Sequence, residues 1–257
     1  MPIGASEILL KHMGGAFMES DYRAALNGGQ QIRWHKYPTS AELEQAALRA
    51  ILHAAQQAIG SRGALHIVLA GGTTPRRLYE SLREADTDWG AWHVYFGDER
   101  CLPHSHAERN SRMAALAWLD HVAIPPAQVH PIPAELGAEI AATRYAQIMD
   151  SIEQFDLVLL GLGEDGHTAS LFPDHDWGNI PDAPATIAVH DAPKPPPERV
   201  SLSARRLSQT RQLMFVVTGE SKRQAVQHWR NGAGIPAAAI APVCGVDVYI
   251  EAALLEN

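Results

Sequence analysis

The sequence predicts an α/β fold with a mainly parallel sheet, on three observations. Short apolar runs alternate with stretches of helical periodicity from Gln30 onward, the order that strand–helix–strand units impose. Two of the runs, at 64–70 and 155–160, are continuously apolar and too short for a helix, as buried parallel strands are. Glycines close several runs, at Gly71-Gly72, Gly97, Gly161 and Gly219, where a chain leaving a strand must turn.

Taken in order, Ile32–Tyr37 reads as a short strand. Thr39-Ser40-Ala41-Glu42 has the spacing of a capping box, with Thr39 at the N-cap and Glu42 at N3. Leu43, Ala46, Ala47, Ala50, Ile51, Ala54 and Ala58 then repeat at helical spacing. After the strand at 64–70 comes a helix with Leu78 and Leu82 on one face, in which Thr74 suits the N-cap and Pro75 the first helical position. A strand at 92–97 precedes a helix at 110–119, and a short strand near 128–132 precedes a helix at about 134–152. Strands follow at 155–160, 186–189 and 212–218, then a helix from Ser221 to about Trp229 and an ambiguous end at 246–255.

Residues 1–29 show no clean pattern and read as a tail or an over-extended start. Residues 30–257 read as one domain, without an internal repeat. The linker-like patch Pro193-Lys194-Pro195-Pro196-Pro197 is too short to separate two.

Composition narrows the partners. With 46% hydrophobic and 19% charged residues, the chain has the make-up of a soluble globular protein. Its 21 basic and 29 acidic residues give a net charge of −8, which disfavours nucleic acid and anionic membranes as partners. A small anion at one basic site is still allowed. No apolar run reaches the length of a membrane span. The only cysteines, Cys101 and Cys244, form neither a disulfide framework nor a zinc pattern, so a cytoplasmic location is expected. Only four lysines occur, Lys11, Lys36, Lys194 and Lys222, so their placement is informative.

Four motifs carry chemistry. Gly71-Gly72-Thr73-Thr74-Pro75-Arg76-Arg77 lies between a strand and a helix, where unpaired N–H groups and the helix dipole make a phosphate seat. A well-capped turn explains the same residues equally well. The motif lacks the Gly-Lys-Ser/Thr ending of a Walker A loop.

Gly161-Leu162-Gly163-Glu164-Asp165-Gly166-His167-Thr168 follows the most apolar strand. Its glycines fit G-x-G-x-x-G formally, with Asp191 as a mimic of the ribose-binding acid. Pro173, seven residues after the third glycine, disfavours the helix that a dinucleotide site needs without excluding it. Asp165 and His167, two apart among glycines, are the sharper feature. Histidine titrates near neutrality and can take a proton from water, while a carboxylate fixes its tautomer.

Phe96-Gly97-Asp98-Glu99-Arg100 ends another strand and reads either as an ion-pair cluster or as ligand contacts. Late in the chain, Lys194, Arg199, Arg205, Arg206 and Lys222 gather cations. Lys222 in the first turn of a helix opposes the helix dipole, an unfavourable placement that a nearby anion would relieve.

These blocks, together with Asn110 and Ser170-Leu171-Phe172-Pro173, resemble the 6-phosphogluconolactonases over about residues 30–257. That family belongs to a superfamily with glucosamine-6-phosphate deaminase and ribose-5-phosphate isomerase. The resemblance implies a sheet with helices on both faces and hydrolysis of 6-phospho-glucono-1,5-lactone to 6-phosphogluconate, the second step of the pentose phosphate pathway. It implies no cofactor and no metal, and a monomer or small homo-oligomer is expected. By match, Gly71, Gly72, Thr73, Thr74 and Lys222 hold the phosphate, helped by Arg77, Lys194 and Arg199. Asp98, Arg100, Asn110, Gly163 and Gly166 complete the substrate contacts. His167 is the base, Asp165 orients it, and the Gly163–Gly166 turn or a nearby cation serves the oxyanion.

Two departures stand out. Arg109 occupies the place of a common serine before Asn110, which leaves one substrate contact unassigned, and Thr73 replaces a serine while keeping the hydroxyl. In the deaminases the His turn continues to Asn-Glu-Pro, whose glutamate assists ring opening. Leu171-Phe172-Pro173 stands here, so the lactonase reading is preferred to the deaminase one. A non-catalytic sugar-phosphate sensor is the reading from another class.

Overall fold

The computed structural model describes residues 30–256, and the expectation for residues 1–29 lies outside them. Strand β1 (Ile32–Tyr37) leads into helix α1 (Ser40–Arg62). Thr39 caps that helix as expected, its hydroxyl accepting the Glu42 N–H at 3.2 Å. Such a cap is worth about 1 kcal/mol. Strand β2 (Leu65–Leu69), helix α2 (Thr73–Leu82) and strand β3 (Trp92–Phe96) follow. Next come β4 (Asp98–Arg100), α3 (Asn110–Ala117), β5 (Val129–His130), α4 (Ala138–Met149) and β6 (Leu157–Leu160). The chain continues through β7 (Thr186–Val189), β8 (Arg199–Leu202), α5 (Ala204–Ser208), β9 (Leu213–Val217), α6 (Arg223–Arg230) and β10 (Val246–Glu251).

Seven strands form one sheet in the order β1-β10-β9-β6-β2-β3-β5, and every neighbouring pair is parallel. The chain builds outward from β1 through β2 and β3 to β5, then returns through β6 and β9 to β10. With right-handed crossovers, that reversal lays α1, α2 and α3 on one face and α4 and α6 on the other. All residues of the central strands β6 and β9 are buried, as strands covered on both sides must be.

The two halves of the winding part between β6 and β2. In open α/β sheets this switch point, at the carboxyl ends of the strands, leaves a crevice. Two buried tyrosines hold the strand ends beside it. Tyr79 of α2 donates to the carbonyl of Ala70 at 2.8 Å and accepts its N–H at 3.0 Å. Tyr145 of α4 does the same for Phe96, at 3.2 and 2.9 Å. One phenol bonds Ala70, just past β2, and the other Phe96, the last residue of β3, so the glycine turns start from fixed points.

Sequence periodicity alone misses a second, three-stranded antiparallel sheet, β4-β8-β7. Strand β4 has only three residues, all charged, and carries no apolar signal. Three other expectations are corrected. The helix read at 134–152 is interrupted, because Gly137 at φ 83° separates a 3-10 turn at Ala134–Leu136 from α4. Helix α2 begins two residues earlier than expected, with Gly72 rather than Thr74 at the N-cap and Pro75 at the third helical position. The ambiguous end resolves into β10 followed by a 3-10 turn at Ala252–Leu255.

Candidate active site

The carboxyl ends of β2, β3, β6 and β9 surround a cleft in two joined chambers. The first, about 370 Å³, is lined by Asp98, Arg100, Asn110, His167, Lys194 and Arg199 among others. The second, about 440 Å³, lies over Thr73, Thr74, Arg77, Thr218 and Glu251. Gly71, Gly72, Gly161, Leu162 and Lys222 belong to both walls. The predicted site residues, drawn from separate stretches of sequence, therefore meet at one place, except Asp165 and Gly166, which line neither chamber.

At the base of the second chamber, no side chain caps the start of α2. Among the described residues the N–H groups of Thr73 and Thr74 have no protein acceptor, and they open where the helix dipole is positive. The Thr74 hydroxyl, expected to cap its own helix, instead meets the Thr218 hydroxyl at 2.7 Å and ties this turn to the end of β9. Arg77 stands at the exposed rim and pairs with Glu44 at 3.3 Å. Glu251 accepts the Gly219 N–H at 2.7 Å and so shapes the turn that presents Lys222.

Lys222 is half-buried at the N-cap of α6. Burial pulls its ammonium below the usual lysine range. The charge of Lys194 adds to the shift, against Glu164 and Asp165. Two cations that disfavour each other across an open cleft make a site that an anion stabilises.

Across from these lysines, the turn after β6 is folded around its histidine. His167 Nδ1 lies 2.5 Å from Asp165 Oδ1, which also accepts the His167 N–H at 3.2 Å. With the Nδ1 proton on that carboxylate, Nε2 carries the lone pair and has no partner among the described residues. Burial lowers the His167 pKa, and the Asp165 hydrogen bond and charge oppose that effect. Burial pushes Asp165 up, but its bond to His167 prevails and holds it below the usual carboxylate range. The imidazole lies flat on Gly163, where a Cβ would come within 2.0 Å of Nδ1, so no other residue fits there.

Two of the turn's amides are engaged internally. Gly163 N–H donates to the His167 carbonyl at 2.7 Å and Gly166 N–H to the Gly163 carbonyl at 3.1 Å. Those two N–H groups are therefore taken, which leaves the Glu164 and Asp165 N–H groups as the turn's candidates for an oxyanion. The cations facing the turn are the alternative.

Asp98 and Asn110 reach the cleft wall with their polar atoms turned to each other. Asn110 Nδ2 donates to Asp98 Oδ1 at 2.9 Å and to the Asp98 carbonyl at 3.0 Å. Glu99, fully buried, accepts the N–H groups of Asn110 and Ser111 at 2.7 and 2.8 Å and caps α3. Arg109 points away from the cleft, pairing with Glu135 at 2.7 Å and Glu99 at 3.4 Å. The replacement of serine there thus supplies an internal brace.

Arg100 and Arg199 face each other in the β4–β8 register. Arg100 Nη1 donates to the Glu108 carbonyl at 2.5 Å. Arg199, buried and stacked over Phe172 at 5.4 Å, donates to the carbonyls of Lys194, Pro195 and Pro196 at 2.9, 3.2 and 3.1 Å. The proline patch is accordingly a strap across the cleft, held from beneath by an arginine. Glu251 and the two tyrosines carry no local sequence signal, because their partners lie outside their own helix or strand.

The geometry is that of a cationic cleft with one histidine base. A family model described as glucosamine-6-phosphate isomerases/6-phosphogluconolactonase matches residues 38–249. This chain belongs to that family. It is 38% identical to a 6-phosphogluconolactonase of Synechocystis over 193 residues, 72% of this chain and 79% of the relative. It is 36% identical to one of Mycobacterium tuberculosis over 219 residues, 79% and 88% of the two chains. A crystal structure of 6-phosphogluconolactonase from Thermotoga maritima superimposes with a TM-score of 0.78 at 26% identity, covering 86% of this chain and 99% of the other. The family match spans every motif of the cleft, from the Gly71 turn to Lys222.

Proposed function

We propose that this chain hydrolyses 6-phospho-glucono-1,5-lactone to 6-phosphogluconate, the second step of the pentose phosphate pathway. The observation that carries the reading is the Asp165–His167 pair with an open Nε2 beside a cleft rich in cations. In this reading the phosphate is held by the uncapped start of α2 and by Lys222. His167 Nε2 takes a proton from a water molecule as its oxygen attacks the lactone C1 carbonyl. The carbonyl oxygen becomes an oxyanion that the Lys194 ammonium stabilises. When the intermediate collapses, the bond from C1 to the ring oxygen breaks and the imidazolium gives its proton to that oxygen. A δ-lactone is reactive enough that no covalent nucleophile is required.

Phe172 favours lactone hydrolysis over deamination. It lies fully buried, 4.9 Å from the His167 ring, where the deaminase pattern has a proton-transferring acid. Residues 30–257 form one domain in this reading, supported by one main apolar cluster that draws on both faces of the sheet. The cytoplasm is its location in the same reading, supported by the two free cysteines. No helix of the described residues is long and apolar enough to cross a membrane.

The test supplies freshly generated 6-phospho-glucono-1,5-lactone and follows acid release above the spontaneous rate. Catalysed release supports the proposal, and its absence with folded protein refutes it. Unphosphorylated gluconolactone and glucosamine 6-phosphate, run alongside, report the need for phosphate and any deaminase activity.

A further inference from the structure

The His167 turn and the glycine loop at the start of α2 belong to opposite halves of the winding, and a single buried carboxylate connects them. Asp98 Oδ2 accepts the Ser170 hydroxyl at 2.6 Å, and Oδ1 accepts Asn110 Nδ2 at 2.9 Å. Ser170 stands three residues beyond His167 and is 1% exposed. Its N–H donates to Ser201 Oγ at 3.3 Å, and Ser201 is the β8 partner of Asp98. Thr168 and Leu171 bond across the tight loop between them, and Thr168 Oγ1 returns to the Gly161 carbonyl at 2.8 Å. On the other side, Asn110 Oδ1 lies so close to Gly71 that a Cβ there would approach it to 2.0 Å.

We propose that Ser170 and Asn110, meeting on the Asp98 carboxylate, are positioning residues: Ser170 fixes the His167 imidazole, and Asn110 fixes the wall of the Gly71 loop. The inference rests on the lactone reading and adds to it the parts that set the distance between base and phosphate. Both oxygens of Asp98 are occupied by neutral donors, one from the His167 turn and one from the first residue of α3, a geometry suited to a brace. Displacing a catalytic group by about 1 Å costs up to about 100-fold in rate, so a hydrogen bond away from the reacting atoms can govern turnover. The two arms of the brace act on different kinetic constants. Loosening the His167 turn lowers kcat, while loosening the Gly71 loop weakens phosphate binding and raises KM.

The experiment compares the parent, Ser170→Ala and Asn110→Ala on freshly generated 6-phospho-glucono-1,5-lactone. Ser170→Ala is expected to lower kcat about tenfold with KM within about twofold, and Asn110→Ala to raise KM about tenfold. Ser170→Cys keeps a weak donor and similar volume, so it folds if Ser170→Ala does not and gives a smaller loss of kcat. A Ser170→Ala kcat within about twofold of the parent, or equal changes in kcat and KM, overturns the proposal. Should the parent itself release no acid, the lactone reading fails and the brace is judged by the ¹⁵N signals of His167. They shift between parent and Ser170→Ala if the proposal holds, and coincide if it does not.

Discussion

Histidines occupy two regions of this molecule on opposite terms. His167 stands in a glycine turn at a strand end, bonded to a carboxylate and open at Nε2. His66, His93 and His130 stack on one face of the sheet across β2, β3 and β5, with ring centroids 4.7 Å apart for the first pair and 6.0 Å for the second. His66 bonds the Tyr95 hydroxyl at 3.1 Å, and Tyr95 stacks on His130 at 4.6 Å. Burial lowers the pKa of all four histidines, helped at His66 and His130 by repulsion from their stacked neighbours. The difference is the partner. A carboxylate fixes the tautomer of His167 and supports its protonated form, whereas the stacked rings pack face to face as flat side chains. A lowered pKa alone does not single out His167; its orienting acid and open nitrogen inside the cationic cleft do. His35 and His190 also meet carboxylates but line neither chamber.

The largest expected effect that would break this comparison comes from His167→Ala. Removing a general base typically costs about 10²–10⁴-fold, so turnover should fall by about 1,000-fold while 6-phosphogluconate still binds, as calorimetry would show. A comparable loss on replacing His93 would erase the distinction between the regions. Lys222→Ala comes next. Loss of the half-buried cation should raise KM about tenfold or more and leave kcat within about threefold, read from initial rates over a range of lactone concentrations.

The smallest effect concerns stability and falls chiefly on the stack, which holds three of the four histidines with lowered pKa. Histidines with lowered folded-state pKa bind fewer protons folded than unfolded, so stability rises with pH up to about 6.5 and falls on acidification below it. Thermal melts should show Tm dropping between about pH 7 and pH 5. In His130→Phe, which keeps the stacked packing without a titrating group, the drop should be shallower. An unchanged slope would assign the acid sensitivity elsewhere.

Much of this architecture is legible in the sequence, for reasons particular residues make plain. The apolar runs of β2, β6 and β9 announce buried parallel strands, and the glycines after them mark the strand ends where the crevice forms. Asp165 and His167 stand two apart, so a local pattern suffices to pair them. What escapes is non-local. The strand Asp98–Arg100 exists through pairing with β8, a hundred residues later, and no periodicity in three charged residues reveals it. The Ser170–Asp98 bond, the Thr74–Thr218 contact and the anchoring of β2 and β3 by Tyr79 and Tyr145 are likewise products of topology. Arg199 was expected to touch the ligand through its charge, but its guanidinium is largely engaged in holding the Lys194–Pro196 strap.

The central claim is that the Asp165-oriented His167 is the base, and the pH dependence of kcat/KM for lactone hydrolysis tests it most directly. Protonation of His167 removes the base, so the rate should fall through a single acid limb below about pH 6.5, the ordinary histidine value. Asp165 supports the charged imidazole, so Asp165→Asn should move that limb to lower pH while reducing the plateau rate about tenfold. A limb that stays where it was in Asp165→Asn, or a parent rate independent of pH down to about 5, would contradict the assignment of His167 as the base.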